Sequence, residues 1–300
     1  MSKRGWLLFL AMGIIWGTPY LMIKVAVGVL DPWTLVFARC ALAALILMPL
    51  ALRRGQIRPA LAKWPWLLAF AAVEITIPWL LLSTAEERLS SSLSGLLLAA
   101  VPLVGALLGW LTGGERLGGR RILGLAIGIA GVATLVGLDL STNDTAALIE
   151  MVLVAIGYAL GPFILARYLT GVPGLGVLAC ALTVSALVYA PIGIARMPHS
   201  MPKASVVWSV VGLAVLCTAI GFVIFFALID EVGPVRATVI TYINPAVAIL
   251  LGVLLLGEPM TIGIGVGFVL VLLGSILATR RSTPKDADVE AEEPLAEAVP

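Results

Sequence analysis

The chain has 300 residues, of which 61% are hydrophobic and only 12% charged, with a formal net charge of +2 and a mean hydropathy of +1.10. This composition is far too apolar for a soluble globular domain, and it predicts an all-α integral membrane protein, because a chain in lipid must satisfy its backbone hydrogen bonds within its own helices. The three cysteines lie in apolar runs at unrelated spacings, which argues against a disulfide framework or a metal site.

Ten transmembrane helices are predicted from the uncharged runs that charges, glycine and proline delimit. In chain order they cover residues 5–24, 33–52, 64–84, 90–111, 120–138, 146–167, 174–195, 206–229, 235–256 and 260–279. The third boundary leaves Glu86 and Glu87 in a loop. The first run begins like a signal peptide with Lys3-Arg4, but it continues past Trp16 without a cleavage site, so we interpret it as a retained helix.

The ninth run has a proline in mid-span and a counterpart 143 positions earlier. The matched pairs are Pro102 with Pro245, Gly109 with Gly252, Gly114 with Gly257, and Glu115 with Glu258. Proline removes one backbone hydrogen bond and pushes on the preceding turn, so both helices are expected to kink near the bilayer centre. The same offset runs through both halves and predicts a duplication, with residues 1–140 and 145–281 as the two copies.

Each predicted copy holds five helices, an odd number, so the second copy must enter the membrane from the opposite side. Counting Lys and Arg tests this arrangement, because positive charge favours the cytoplasmic side. With the N-terminus inside, 14 of the 19 basic residues fall in cytoplasmic segments and 4 in outer ones, and Arg39 lies within a span. We therefore expect an inverted repeat with both termini cytoplasmic. The acidic residues 282–300 are expected to form a disordered cytoplasmic tail.

Three stretches of the sequence then point to a known family. They are Val101-Pro102-Leu103 leading to Gly113-Gly114-Glu115, its echo Asn244-Pro245-Ala246 leading to Leu256-Gly257-Glu258, and Trp16-Gly17 on the first helix. They resemble the paired signature of the drug/metabolite transporter superfamily, EamA type, over residues 1–281. The resemblance implies a bacterial inner-membrane permease, often an exporter of amino acids, related metabolites or drugs. It also implies a cavity lined chiefly by the first, third, fourth, sixth, eighth and ninth helices.

Charges within a bilayer are costly, so Glu74 and Arg39 are functional candidates. Glu74 lies about 15 Å into the third helix and Arg39 about 9 Å from the outer face, by the helical rise. That difference is within the reach of an arginine side chain, so the two are predicted to form an intramembrane charge pair. Two interpretations stay open. The pair is structural, or Glu74 is a proton acceptor or a counter-charge for a substrate amino group.

Aromatic and polar side chains at mid-depth complete the predicted site, although ordinary packing remains the alternative for each. Trp16 and Tyr20 are four residues apart and so share one helix face. The predicted substrate-binding residues are Trp16, Tyr20, Glu74, Trp79, Tyr158, Phe222, Tyr242 and Asn244. Pro102 and Pro245 are the predicted hinges. The second copy has Leu182 where the first has Arg39, so the role of that residue is asymmetric.

The function predicted is a secondary transporter that moves a small metabolite by alternating access, because inverted repeats can open a central site to either side in turn. A membrane enzyme is the main alternative, but His199 is the single histidine and no zinc, serine–histidine or phosphate-loop motif is present. A channel-like uniporter would need a continuous polar stripe. No cofactor and no nucleic acid is expected. The expected partners are a small-molecule substrate and the lipid bilayer, with proton coupling, monomer and homodimer left open.

Overall fold

The computed structural model describes residues 2–111, 118–139, 144–233 and 237–279, and these residues form helices without a strand. The ten long helical segments are α1 Lys3–Val27, α2 Pro32–Arg53, α3 Trp64–Arg88, α4 Ser91–Leu111, α5 Gly119–Asp139, α6 Thr145–Tyr168, α7 Gly174–Ala195, α8 Ala204–Val232, α9 Ile240–Leu256 and α10 Ile262–Thr279. A short helix, Ile57–Ala62, connects α2 to α3. Glu115 and the predicted tail lie outside the described residues.

Eight of these segments are long and apolar enough to cross a membrane, and α9 is a shorter apolar helix. The eight are α1 to α4, α6 to α8, and α10. Each segment corresponds to a predicted helix, with ends that differ by a few residues. The chain is therefore an all-helical, multi-pass membrane protein.

Four short segments depart from the α-helical hydrogen-bond pattern, and they come in two matched pairs. Tight 3₁₀ turns at Leu98–Ala100 and Thr238–Tyr242 precede the two mid-span prolines. Wider π-helical turns occur at Ala71–Thr76 in α3 and Gly212–Ile220 in α8. When 143 is added to the residue numbers of the first segment in each pair, the resulting range overlaps the second segment. The break predicted at the prolines is thus present, whereas the π turns had no sequence signal.

The tightest packing joins helices from opposite halves of the chain. The pairs are α1 with α8, α2 with α7, α3 with α6, α4 with α9, and α5 with α10. Between α5 and α10 the contact uses glycine, since a Cβ at Gly274 would meet the backbone of Gly128, and one at Gly131 would meet Val271. Small residues allow such close backbone approach in membranes. Gly131 and Gly274 therefore serve the packing of α5 against α10 within one chain.

One predicted boundary is wrong at the end of α3. The sequence placed Glu86 and Glu87 in a loop after residue 84, but the helix continues to Arg88. Glu86 is fully buried in the fold, whereas Glu87 is exposed. Two charges in succession end a hydrophobic run but do not end a helix, since Glu and Arg are good helix formers.

Candidate functional site

A cavity of about 190 Å³ lies among the helices, at the level of the two prolines. Its lining comes from α1, α2, α3, α4, α6, α8 and α9, so both halves of the chain contribute. This volume exceeds by far the roughly 10–15 Å³ that holds one water molecule. Tyr158 packs against both large buried clusters of apolar side chains, which flank the cavity. The cavity therefore has the size and position of a site for a small organic molecule.

Glu74 enters this cavity from the π turn of α3. A π turn holds one extra residue, which shifts the side chains around it, and such turns are frequent at functional sites. Gly161 of α6 leaves the room that the carboxylate occupies, because a Cβ there would overlap Glu74 Oε2. That oxygen is buried and has no hydrogen-bond partner among the described residues. Glu74 is thus available to a substrate or a proton.

Arg39 lies across the cavity wall with a fixed orientation. Its guanidinium carbon is 3.5 Å from the centre of the Trp79 ring, and its Nε donates a hydrogen bond to Thr218 Oγ1 at 3.2 Å. Thr218 in turn donates to the carbonyl of Leu213, in the π turn of α8. A buried cation over a tryptophan face is stabilised by the ring quadrupole. Arg39 is only 8% exposed.

The predicted ion pair between Arg39 and Glu74 does not form in the structure. Both residues line the cavity, but no salt bridge or hydrogen bond joins them among the residues described. Arg39 instead contacts Trp79 and Thr218, neither of which was predicted as its partner from depth along the helix. Depth along a helix sets the height of a side chain in the membrane but not its direction around the helix axis.

Trp16 is held against the π turn of α8. Its indole Nε1 donates to the carbonyl of Cys217 at 3.1 Å. Its ring meets Phe222 edge-on, with centroids 5.2 Å apart and an interplanar angle of 67°. Both π turns therefore position cavity residues, Glu74 directly and Trp16 through a hydrogen bond.

Asn244 connects α9 to α1 at the cavity. With its amide oriented to suit its neighbours, the nitrogen donates to the carbonyls of Gly13 at 3.2 Å and Ile240 at 3.1 Å. Gly17 allows the helices this close, because a Cβ there would overlap the Val247 side chain. Asn244 thus holds together the helix pair that flanks one side of the cavity.

Seven of the eight predicted substrate-binding residues line the cavity, and Tyr242 does not. The Tyr242 hydroxyl contacts α10 instead, where it is 2.7 Å from Thr279 Oγ1 and 3.3 Å from the carbonyl of Ser275. The 3₁₀ turn at Thr238–Tyr242 changes the helical register, and Thr241 takes the cavity position. Of the two predicted hinge prolines, Pro245 lines the cavity, whereas Val101 does so in place of Pro102.

The sequence matches the model of the EamA-like transporter family over residues 3–137 and again over residues 145–280. Together the two matches cover nearly the whole membrane part of the chain.

Two curated relatives and one solved structure align along most of the chain. The uncharacterized inner membrane transporter YedA of Escherichia coli K12 is 29% identical over 282 residues, which are 89% of this chain and 90% of that protein. A probable terminal-alkyne amino-acid exporter of Streptantibioticus cattleyicolor is 26% identical over 285 residues, 94% of this chain and 95% of its own. A crystal structure with a TM-score of 0.67 and 20% identity covers 93% of this chain and 97% of that one, which shows the fold alone.

Proposed function

Because the chain belongs to the EamA-like transporter family, we propose that it is a secondary transporter that moves a small metabolite across the bacterial inner membrane by alternating access, as an exporter. The observation that carries this proposal is the cavity with Glu74 and Arg39 in its wall, lined by helices from both halves of the chain. A charge buried in a membrane is expensive to keep and is expected where a substrate or ion needs it.

Alternating access requires two halves that can exchange conformations, and we propose ten spans arranged as two inverted five-helix repeats, 1–140 and 145–281. The exchange of helix partners supports this, since α1 packs on α8 as α6 packs on α3. The π turns also support the inverted repeats, because each forms a hydrogen bond with the second helix of the other half. Thr76 in the first is 2.8 Å from Ser185 Oγ on α7, and Thr218 in the second accepts a hydrogen bond from Arg39 on α2. Pro102 and Pro245 are the hinges in this proposal.

The membrane orientation proposed is that of the basic-residue count, with both termini cytoplasmic. Contacts between loops agree with it, because each joins segments assigned to the same side. On the cytoplasmic side Lys63 Nζ donates to the carbonyl of Tyr168 at 2.9 Å. On the outer side Arg196 pairs with Asp31 at 2.9 Å. The exposed pair of Arg196 and Asp31 adds little stability, but both contacts show which helix ends lie together.

The substrate class proposed is an amino acid or a related compound, with drugs as the second candidate. A zwitterion carries a carboxylate, which suits the planar donor group of Arg39, and an ammonium, which suits the carboxylate of Glu74. Trp16, Trp79 and Phe222 offer apolar and aromatic surface to the side chain. The printed name of the Streptantibioticus relative, a probable amino-acid exporter, favours the same class.

The alternatives are a membrane-embedded enzyme and a channel-like uniporter. The names of the family and of the relatives favour a transporter over an enzyme. A channel, when open, is continuous from one side to the other and has no site that faces the two sides in turn. It would therefore show no counterflow, in which unlabelled substrate on one side drives labelled substrate toward it.

The test is transport by purified protein in proteoliposomes. We expect counterflow with at least one member of a panel of amino acids and drugs, and stimulation of net movement by a pH gradient. Protein-free vesicles and the double variant Arg39→Ala, Glu74→Ala serve as controls. Absence of counterflow across the whole panel, from protein that is folded by its thermal unfolding profile, contradicts the proposal. Linear flux without counterflow favours the channel.

A further inference from the structure

Polar side chains lie one helical turn beyond the cavity, toward the predicted outer surface. On α1, Tyr20 lines the cavity and Lys24 follows four residues later. On α3, Trp79 and Leu82 line the cavity and Glu86 follows Leu82 by the same step. Residues four apart lie on the same face of a helix. Lys24 and Glu86 therefore continue the cavity-facing sides of their helices.

The antiparallel helix α4 contributes the same pattern in the reverse direction. Gly95 and Leu98 line the cavity, and Ser91 and Ser94 precede them by four residues each. Both serines are fully buried, and neither side-chain oxygen has a hydrogen-bond partner among the described residues. We refer to Lys24, Glu86, Ser91 and Ser94 as the outer polar cluster. It is a second polar layer next to the cavity, in which Lys24 is half-buried and the other three residues are fully buried.

Glu86 is the member of this cluster whose carboxyl group has no partner that would stabilise a negative charge. Its side chain is fully buried, and neither carboxyl oxygen has a hydrogen-bond partner within the part of the chain described. The ammonium of Lys24 lies close by but donates to the backbone carbonyls of Glu86 at 2.6 Å and Leu89 at 2.8 Å. A buried carboxylate needs a hydrogen-bonded counter-charge, and here Lys24 is bound elsewhere.

The other carboxylate beside the cluster differs in this respect. Glu258, in the loop between α9 and α10, accepts hydrogen bonds from the backbone nitrogens of Ser91 at 2.7 Å and Ser92 at 2.9 Å, and from Ser92 Oγ at 2.5 Å. It caps the N-terminus of α4, where a negative charge is stabilised. Gly257 places it there with a left-handed φ of 67°. Glu258 is thus satisfied as a carboxylate, and Glu86 is not.

Titratable groups act on Glu86 from several of the elements around it. They are Lys24 and Tyr20 on α1, Arg39 on α2, Tyr158 on α6 and Glu258 in the α9–α10 loop. On its own helix, Glu87 is exposed, and Arg88 points away to bind Glu150 of α6 at 2.5 Å. The two cations of this set are already engaged, Lys24 by carbonyls and Arg39 by Trp79 and Thr218.

We propose that Glu86 is a proton-binding site on the outer side of the cavity, and that Lys24 is its alternate partner. In the protonated state the carboxyl is neutral and Lys24 binds the carbonyls at the end of α3, the arrangement seen here. On release, the O–H bond of the carboxyl breaks and the proton passes to water at the outer surface. The ammonium of Lys24 then pairs with the carboxylate. The role of Glu86 in transport rests on the proposed function, whereas the binding of a proton by Glu86 does not and is tested first.

The first test reads the proton directly and needs no substrate. Infrared difference spectra of purified protein in lipid, recorded from acidic to alkaline pH, report the C=O stretch of protonated carboxyl groups. We expect Glu86→Gln to lack a pH-dependent band that is present in the wild type and in Glu87→Gln, the exposed neighbouring control. A titration of Glu86→Gln identical to that of the wild type overturns the proposal. Glu86→Asp, which keeps the carboxyl, should retain a band, and its loss there would also count against the proposal.

The second test links the site to transport. In proteoliposomes we expect Glu86→Gln to keep counterflow, which needs no net proton movement. The substrate accumulation that a pH gradient drives should be about tenfold lower than in the wild type. Lys24→Met should likewise keep counterflow and lose gradient-driven accumulation, and Glu87→Gln should match the wild type in both. Full accumulation by Glu86→Gln overturns the proposed role. If the wild type itself shows no counterflow, the proposed function fails, while the infrared titration still decides whether Glu86 binds a proton.

Discussion

Glu74 is the residue on which a proton-coupled mechanism depends most directly. It stands in the cavity wall with one buried oxygen unpartnered, in space left by Gly161. A group that carries a proton or an ammonium counter-charge must be able to change its charge, and glutamine keeps the shape without that ability. The structural interpretation, a fixed ion pair with Arg39, has no support in the contacts that Arg39 makes.

We therefore expect Glu74→Gln to abolish the pH dependence of transport in reconstituted vesicles while leaving folding intact. The measurement is the initial rate of counterflow and of gradient-driven uptake across a pH series, with thermal unfolding as the check on structure. Glu231→Gln, at the predicted cytoplasmic surface beside Arg4, is the matched control and should behave as the wild type. Transport by Glu74→Gln that follows the wild-type pH profile contradicts this role.

Arg39 supplies a planar cation whose orientation is set by Trp79 and Thr218. Lysine keeps the charge but loses the planar fork and the stacked geometry. We expect Arg39→Lys to raise the KM for a carboxylate substrate about tenfold with a smaller effect on the maximal rate, because a desolvated cation–π contact contributes on the order of 1–2 kcal/mol. Trp79→Leu, which removes the ring beneath the guanidinium, should act in the same direction. An unchanged KM in both variants would place Arg39 outside the binding site.

At the scale of single elements, the sequence predicted helices well and their internal irregularities poorly. Long uncharged runs identify helices because lipid leaves the backbone no other partner. Pro102 and Pro245 predicted the irregular turns in α4 and α9, because proline cannot donate the backbone hydrogen bond that continues a helix. The π turns of α3 and α8 contain no proline, and their extra residue is visible only once neighbouring helices are in place.

These irregularities explain where the arrangement of the structure differs from the one that the sequence predicts. Tyr242 faces α10 because the preceding 3₁₀ turn alters its direction. Thr218 was not considered, since a threonine in an apolar run gives no signal until Arg39 contacts it. Glu86 was assigned to a loop by its charge, although its spacing of four from Leu82 and seven from Trp79 was the available signal. Seven other residues were placed at the cavity because polar and aromatic side chains at mid-depth are rare.

The packing of α5 against α10 yields a prediction with an internal control. A Cβ at Gly274 would meet backbone atoms of Gly128, which cannot move aside, whereas a Cβ at Gly265 meets nothing within 4 Å. We expect Gly274→Ala to lower the free energy of unfolding by about 1–3 kcal/mol through overpacking. Gly265→Ala should raise it by about 0.5–1 kcal/mol, because alanine is the better helix former. Thermal unfolding in detergent measures both, and equal effects of the two substitutions would contradict the observed helix contact.

At the scale of the whole molecule, the two halves share irregularities as well as helices. Each has one π turn in its third helix and one 3₁₀ turn in its fourth. Their side chains differ, since Arg39 corresponds to Leu182 and Glu74 to Cys217. A common backbone with unlike side chains suits a transporter in which both halves move but one half carries most of the charge at the site.

The proposed inverted topology makes a labelling prediction that follows from counting helices. Pro59 precedes α3 and His199 follows α7, so five helices separate the two exposed positions. If all five cross the membrane, the two positions face opposite sides, and the excess of Lys and Arg places Pro59 in the cytoplasm. The substitutions Pro59→Cys and His199→Cys leave the number of Lys and Arg unchanged, and the native cysteines Cys40, Cys180 and Cys217 are buried.

An impermeant thiol reagent should therefore label His199→Cys in intact cells, and Pro59→Cys only after the cells are opened. Cells that carry the unsubstituted chain control for reaction of the native cysteines. Labelling of both positions from outside would mean that an even number of helices crosses between them, which is incompatible with two inverted five-helix repeats. Labelling of Pro59→Cys alone in intact cells would keep the repeats but reverse the whole molecule. The outer polar cluster would then face the cytoplasm, and Glu86 would exchange its proton on that side.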